Sequence, residues 1–218
     1  MPLPLLFMDE LKGFYKSKVM LFLWVGLPAL SVLLYFSAMD TGGLSLSSMT
    51  AIVVGSIGGV LASVMLVVSM VGERERHVYD LFVIRPIKRR DIVLSKFSAV
   101  YLCVATAALL AFVVATLIEF AVDGSLPAHF GDNAVDFFVV SFSMMAISCS
   151  AGLLLGVASP SVLVGVILVI YGANQLSASV LLPVMSYSEE RLFPLVPGIV
   201  ISGALLMGAV VLFNRKQL

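Results

Sequence analysis

Charge is scarce in this chain. Only 12% of its 218 residues are Asp, Glu, Lys or Arg, where an ordinary soluble domain carries about a quarter. Hydrophobic residues make up 61%, and the mean hydropathy is +1.11. A chain this apolar cannot cover a soluble surface, so lipid must be its solvent. Acidic and basic residues balance at 13 each, and with no basic excess there is no footprint for a nucleic acid. Cysteine and histidine occur twice each. Cys103 and Cys149 fall inside apolar runs, make no metal spacing and leave no loop cysteine for an extracellular disulfide, so both read as packing residues. His77 and His129 lie in loops, and no span sets a histidine beside a G-x-S-x-G serine. Nor is there a clustered Asp motif for two metals. No metal site is expected, and an intramembrane enzyme is the least favoured class. The chain also lacks G-x-x-x-x-G-K-[ST], so it does not hydrolyse ATP by that chemistry. Its first apolar run, Leu3 to Met8, is short and followed by Asp9 and Glu10. No cleavable signal peptide is expected, and the first long helix would serve as an uncleaved insertion signal.

What the chain has is apolar runs. Crossing about 30 Å of hydrocarbon takes roughly 20 mostly apolar residues. Six runs qualify: Val19–Ala38, Thr50–Gly72, Phe97–Val122, Ala134–Ser159, Ser161–Met185 and Leu195–Phe213. Only Ser159-Pro160-Ser161 separates the fourth from the fifth, and proline cannot continue a regular helix, which predicts a tight turn. The fold class is therefore all-α, with six transmembrane helices in a single domain. The basic residues orient it. Lys12, Lys16 and Lys18 precede the first span; Arg74, Arg76, Arg85, Lys88, Arg89, Arg90 and Lys96 fall between the second and third; Arg215 and Lys216 follow the last. Twelve of the thirteen basic residues thus share one side, and only Arg191 falls on the other. The positive-inside rule then predicts both termini in the cytoplasm.

Ahead of the first span, within residues 1–18, Leu3, Phe7, Leu11 and Phe14 recur at helical spacing with Asp9, Lys12 and Lys16 between them. That pattern predicts a helix lying in the membrane interface. Gly55 with Gly59 and Gly152 with Gly156 form G-x-x-x-G spacings, which let helices approach closely, within the chain or at a subunit interface.

The loop over residues 73–96 holds most of the information. It has no glycine, and Val78, Leu81 and Phe82 stand at i, i+3 and i+4 before Pro86. A short amphipathic helix ending before that proline is expected, with a second helical piece from Lys88 to Lys96. A charged, structured elbow of this kind offers a docking surface. Glu73, Arg74, Glu75, Leu81, Pro86, Ile87 and Lys96 together resemble the loose pattern Glu-Arg-Glu…Leu…Pro-Ile…Lys of the permease subunit of type-2 ATP-binding-cassette (ABC) exporters. The residue-level similarity covers about 25 positions; the topological similarity covers the chain.

That resemblance implies a coupling helix that docks into a groove on a separate ATPase subunit, which would hold the ATP and magnesium. The permease itself would bind no cofactor. Val78, Leu81 and Phe82 would be the apolar anchors, and Glu73, Glu75, Arg76 and Arg85 the rim or pivot, alongside Arg74 and Pro86. It also implies a second permease copy or homologue, a prokaryotic cytoplasmic membrane, and export of a hydrophobic or amphipathic substrate such as a drug, lipid or peptide. The alternative for the loop is that its charges merely sit at the headgroups. Alternatives for the whole chain are a secondary carrier, the substrate-binding membrane subunit of a vitamin importer, or a membrane anchor.

Four polar residues in the spans are candidate pathway groups. Glu119 near the outer end of the third span and Asp136 at the start of the fourth either line a pathway or reach the outer interface. Asn174 and Gln175, mid-span in the fifth, need partners on other helices or in a watery cavity. Ser141, Ser143, Ser148 and Ser150 are expected to bond to carbonyls of the preceding turn. The Ser186 to Pro197 loop, with Pro194, Pro197 and the Glu189-Glu190-Arg191 cluster, forms either extracellular half-helices or a plain connector.

Overall fold

In the computed structural model, residues 3–38, 46–76, 89–123, 130–187 and 193–215 are described, and among them there is no strand. The helices are α1 (Leu3–Tyr15), α2 (Lys18–Ala38), α3 (Leu46–Glu75), α4 (Arg89–Asp123), α5 (Phe130–Ala158), α6 (Val162–Leu168), α7 (Asn174–Tyr187) and α8 (Leu195–Arg215). A single π-helical turn, Val169–Ala173, joins α6 to α7. Helices satisfy every internal backbone polar group within the segment, which hydrocarbon demands. Six stretches are long and apolar enough to cross a membrane: Lys18–Phe36, Met49–Glu75, Arg90–Ala121, Phe130–Ala158, Val162–Leu181 and Leu195–Arg215. The protein is an all-helical, multi-pass membrane protein.

The pairing of α3 with α5 organises the bundle. A Cβ on Gly55 would stand 3.1 Å from Ser141 Cα, one on Gly59 2.9 Å from Ser148 Cβ, one on Gly152 2.7 Å from Ser63 Cα and one on Gly156 3.2 Å from Val67 Cα. Both G-x-x-x-G spacings therefore serve packing within the chain, each letting the partner backbone in. Contact partners rise together along the two helices, so α3 and α5 run parallel, as the second and fourth spans of an alternating bundle must. A shared hydroxyl fastens the seam: Ser63 Oγ lies 2.6 Å from the carbonyl oxygens of both Gly59 and Ser148.

Around this seam, α2 contributes Met20, Leu23 and Leu27 to the core and α4 contributes Val100 and Val104. Trp24 on α2 donates its indole N–H to the Cys103 carbonyl at 3.3 Å, and its ring meets Tyr15 edge-on at 5.3 Å. Cys103 and Cys149 are both free and buried. The turn between α5 and α6 falls at Ser159-Pro160-Ser161, with Ser161 in extended conformation capping α6 by accepting from the Val164 N–H. At one end of the bundle Phe112 gathers Phe137 and Phe138, at 4.8 and 5.0 Å between ring centroids.

Two helices outrun the bilayer at the opposite end. With 35 residues α4 is about 50 Å long, and α3 with 30 is about 45 Å, against about 30 Å of hydrocarbon. The surplus of α4 includes Arg89 to Lys96, and that of α3 the Glu73-Arg74-Glu75 segment. These overhangs meet α1 to form the candidate site.

Candidate functional site

Lys96 stands on the second turn of α4, between the buried Ile92, Val93 and Ser95 on one side and Ala99 and Val100 on the other. That environment turns its side chain inward until 1% of it is exposed. A buried ammonium costs several kcal/mol unless it is paired and hydrogen-bonded. Lys96 Nζ lies 2.7 Å from Glu10 Oε1 on α1, contacts Glu73 Oε1 on α3, and donates to Ser69 Oγ at 3.1 Å. All three ammonium donors are used. Ser69 in turn donates to Glu73 Oε1 at 3.1 Å. One side chain thus ties three helices together, and two carboxylates against one ammonium leave a formal charge of −1.

The residue after Glu73 makes a second tie. Arg74 Nη2 donates to the carbonyl oxygens of Ser159 at 2.6 Å and Pro160 at 3.0 Å. A guanidinium suits the end of α5, where carbonyls without helical partners concentrate negative charge. Ser159 holds the same turn, its hydroxyl donating to the Leu155 carbonyl at 2.6 Å. The end of α3 is thereby clamped to α1 and α4 by Glu73 and to the α5–α6 turn by Arg74. Glu75 and Arg76 are exposed just beyond, where α3 ends. Val78, Leu81, Phe82, Arg85 and Pro86, the expected apolar anchors, rim and helix stop, lie outside the described residues.

A cavity of about 640 Å³ opens beside the clamp, between α1 and α3. Leu61, Val64, Met65 and Val68 line it along one stripe of α3 that continues into Ser69 and Glu73. From α1, Asp9, Glu10, Gly13 and Phe14 face it.

The four expected pathway residues lie on α4, α5 and α7. Glu119 and Asp136 are half-buried, on α4 and α5 respectively. Asn174 follows the π turn, its Oδ1 buried and without a hydrogen-bond partner among the described residues, whereas the neighbouring Gln175 is exposed. A π turn widens the helix and leaves backbone groups out of register, and such turns recur at functional positions. Of the four α5 serines, Ser141 and Ser150 bond to the Phe137 and Ile147 carbonyls, as expected. Ser143 and Ser148 do not, and both hydroxyls are buried without a partner among the described residues. Each presses on a glycine instead: a Cβ on Gly198 would meet Ser143 Oγ at 2.9 Å, and one on Gly59 would meet Ser148 Oγ at the same distance.

No family model and no curated protein matches the chain.

Sequence reasoning missed Glu10. The helical piece expected from Lys88 to Lys96 is the start of α4, which begins at Arg89 and carries Lys96 into the interior. The signal for Glu10 was present. Leu6, Glu10, Gly13 and Ser17 recur at i, i+4, i+7 and i+11, a helical face distinct from the Leu3–Phe7–Leu11–Phe14 stripe, and it is the face lining the cavity. Leu6 is buried, while Phe7, Leu11 and Phe14 are only half-buried.

Proposed function

We propose that this protein is the permease subunit of an ABC exporter. Two copies, or one copy and a homologue, form the transport pathway, and separate ATPase subunits supply the energy. The observation that carries this reading is the double clamp at the end of α3. Closure of an ATPase dimer is useful to a transporter only if a push on the loop after the second span moves helices instead of bending the loop. Here the residues opening that loop are fixed on both sides: Glu73 to α1 and α4 through Lys96, and Arg74 to the α5–α6 turn. A push on the segment after Arg76 would reach four helices at once. The sequence resemblance, Glu73-Arg74-Glu75 followed by Leu81, Pro86, Ile87 and Lys96, adds to this reading.

In this reading the clamp faces the cytoplasm of a prokaryotic cell, with both termini on that side. The interfacial helix α1 rests against the inner leaflet, and Val78, Leu81 and Phe82 insert into the ATPase groove within a rim of Glu75, Arg76 and Arg85. The substrate is hydrophobic or amphipathic.

The test is co-purification. The tagged chain is expressed from its native operon, extracted in mild detergent and assayed for ATPase activity beside Leu81→Glu. A nucleotide-binding subunit should accompany the wild type and be lost from Leu81→Glu. If no such subunit is found after mild crosslinking, the exporter reading fails, and a secondary carrier or an anchor replaces it.

A further inference from the structure

We infer that the cavity between α1 and α3 is a binding site for a lipophilic organic cation. The α3 wall carries a graded stripe. Leu61, Val64, Met65 and Val68 recur at i, i+3, i+4 and i+7, and the next residues on the same face are Ser69 and Glu73. On the α1 wall Asp9 and Glu10 stand between Leu6 and Phe14, and Glu10 is held beside Glu73 through Lys96. A guest would therefore meet hydrocarbon along its body and carboxylates at one end.

Asp9, Glu10 and Glu73 line the cavity, and among the described residues none that lines it is basic. Lys96 lies behind Glu10 and Glu73 with 1% of its side chain exposed, and it offsets only one of the three charges. Among the described residues the polar end thus keeps a formal charge of −2, which repels phosphates and carboxylates and leaves a neutral hydrocarbon without a partner for the acids. An ammonium or phosphonium centre satisfies them, and the aromatic Phe14 lines the same cavity.

There is room for such a guest. The volume of about 640 Å³ falls within the range of about 300–1,000 Å³ typical of small-molecule sites. Gly13 keeps the α1 wall open, since a Cβ there would meet nothing within 4 Å. Lys96 and Glu73 also belong to the clamp, but the site does not rest on the exporter reading, because binding is measured without any ATPase.

The full chain in phosphatidylcholine nanodiscs is dialysed to equilibrium against radiolabelled tetraphenylphosphonium. Tetraphenylborate, an anion of the same shape, is measured separately. Tetraphenylphosphonium should bind saturably, one per chain, above its partition into empty nanodiscs, and tetraphenylborate should only partition. Asp9→Asn, which removes an exposed charge outside the ion pairs, should weaken binding several-fold, on the order of the loss of one nearby charge in a wet site. Val68→Trp, which fills the cavity beside Ser69 from a position already 45% exposed, should abolish it. Equal binding of cation and anion overturns the proposal, as does phosphonium uptake no greater than that of empty nanodiscs. So does wild-type affinity in both variants.

Discussion

Lys96 Nζ lies 2.7 Å from Glu10 Oε1, joining a helix at the start of the chain to one that begins near residue 90. The contact decides where α1 sits. Helix α1 carries Leu5, Met8 and Tyr15 outward with half or more of their surfaces exposed, so its attachment depends on the inward face containing Leu6 and Glu10. Truncating Lys96 to Met removes the cation and leaves Glu10 and Glu73 facing each other. The expected loss is about 3 kcal/mol, the lower end for breaking a buried pair, because both carboxylates keep about a quarter of their surface. Thermal unfolding in detergent should show the drop, and limited proteolysis should cut faster between Tyr15 and Lys18 as α1 detaches. Glu73→Gln should cost more than Glu10→Gln, since Glu73 also accepts from Ser69. Wild-type stability in Lys96→Met would mean that the three-helix knot contributes nothing.

The seam between α3 and α5 gives a sharper contrast. A Cβ on Gly152 would stand 2.6 Å from Ser63 Cβ and 2.7 Å from its Cα, and backbone cannot yield as a side-chain tip can. Gly152→Ala should destabilise by about 1–3 kcal/mol, the usual cost of overpacking. Gly203 on α8 meets nothing within 4 Å at the same position, so Gly203→Ala should be neutral or slightly stabilising through helix propensity. Thermal unfolding of the two variants in the same detergent checks the pair. Similar midpoints would mean that the α3–α5 seam tolerates a methyl group.

How much of this was legible in sequence follows from what each feature depends on. The spans depend on apolar runs and proline, both local; four lie within observed helices, the fourth overruns α5 by Ser159, and the fifth starts at the Ser161 cap and crosses the π turn. The turn at Pro160 likewise needed only its own three residues. The helical piece expected from Lys88 to Lys96 is also local, and it forms the first turns of α4, which begins at Arg89 and runs unbroken into the third span. The clamp depended on which charges meet, and Glu10 and Lys96 are 86 positions apart with no local pattern linking them. Arg74 capping a turn 85 residues away is equally a product of the α3–α5 register. The glycine spacings announced a close approach but not its partner; Ser148 packs on Gly59 and Ser143 on Gly198, both without the carbonyl bonds expected of them.

Orientation is open to direct measurement. Cys103 and Cys149 are buried, so engineered cysteines can be read against a quiet background. Lys16→Cys lies at the end of α1, and Gly131→Cys at the start of α5, where a side chain would meet nothing within 4 Å. An impermeant maleimide applied to intact cells should label Gly131→Cys, and Lys16→Cys only after the cells are opened. The reverse pattern would put the clamp outside and remove it from reach of any cytoplasmic ATPase.

Asn174 distinguishes glue from pathway. Its Oδ1 is buried without a partner among the described residues, directly after the Val169–Ala173 π turn. An unpaired buried carbonyl costs about 1–3 kcal/mol, so replacing it with an apolar group of similar size should stabilise the resting protein. Asn174→Leu should therefore raise the unfolding midpoint in detergent. If the amide serves transport by meeting substrate or water in another state, the same variant should lose transport in reconstituted vesicles, by an order of magnitude or more, while remaining better folded. Lower stability in Asn174→Leu would instead show that the amide bonds across helices and acts as glue. A rise in stability with transport unchanged would leave the π turn, not the amide, as the feature of that span still requiring a role.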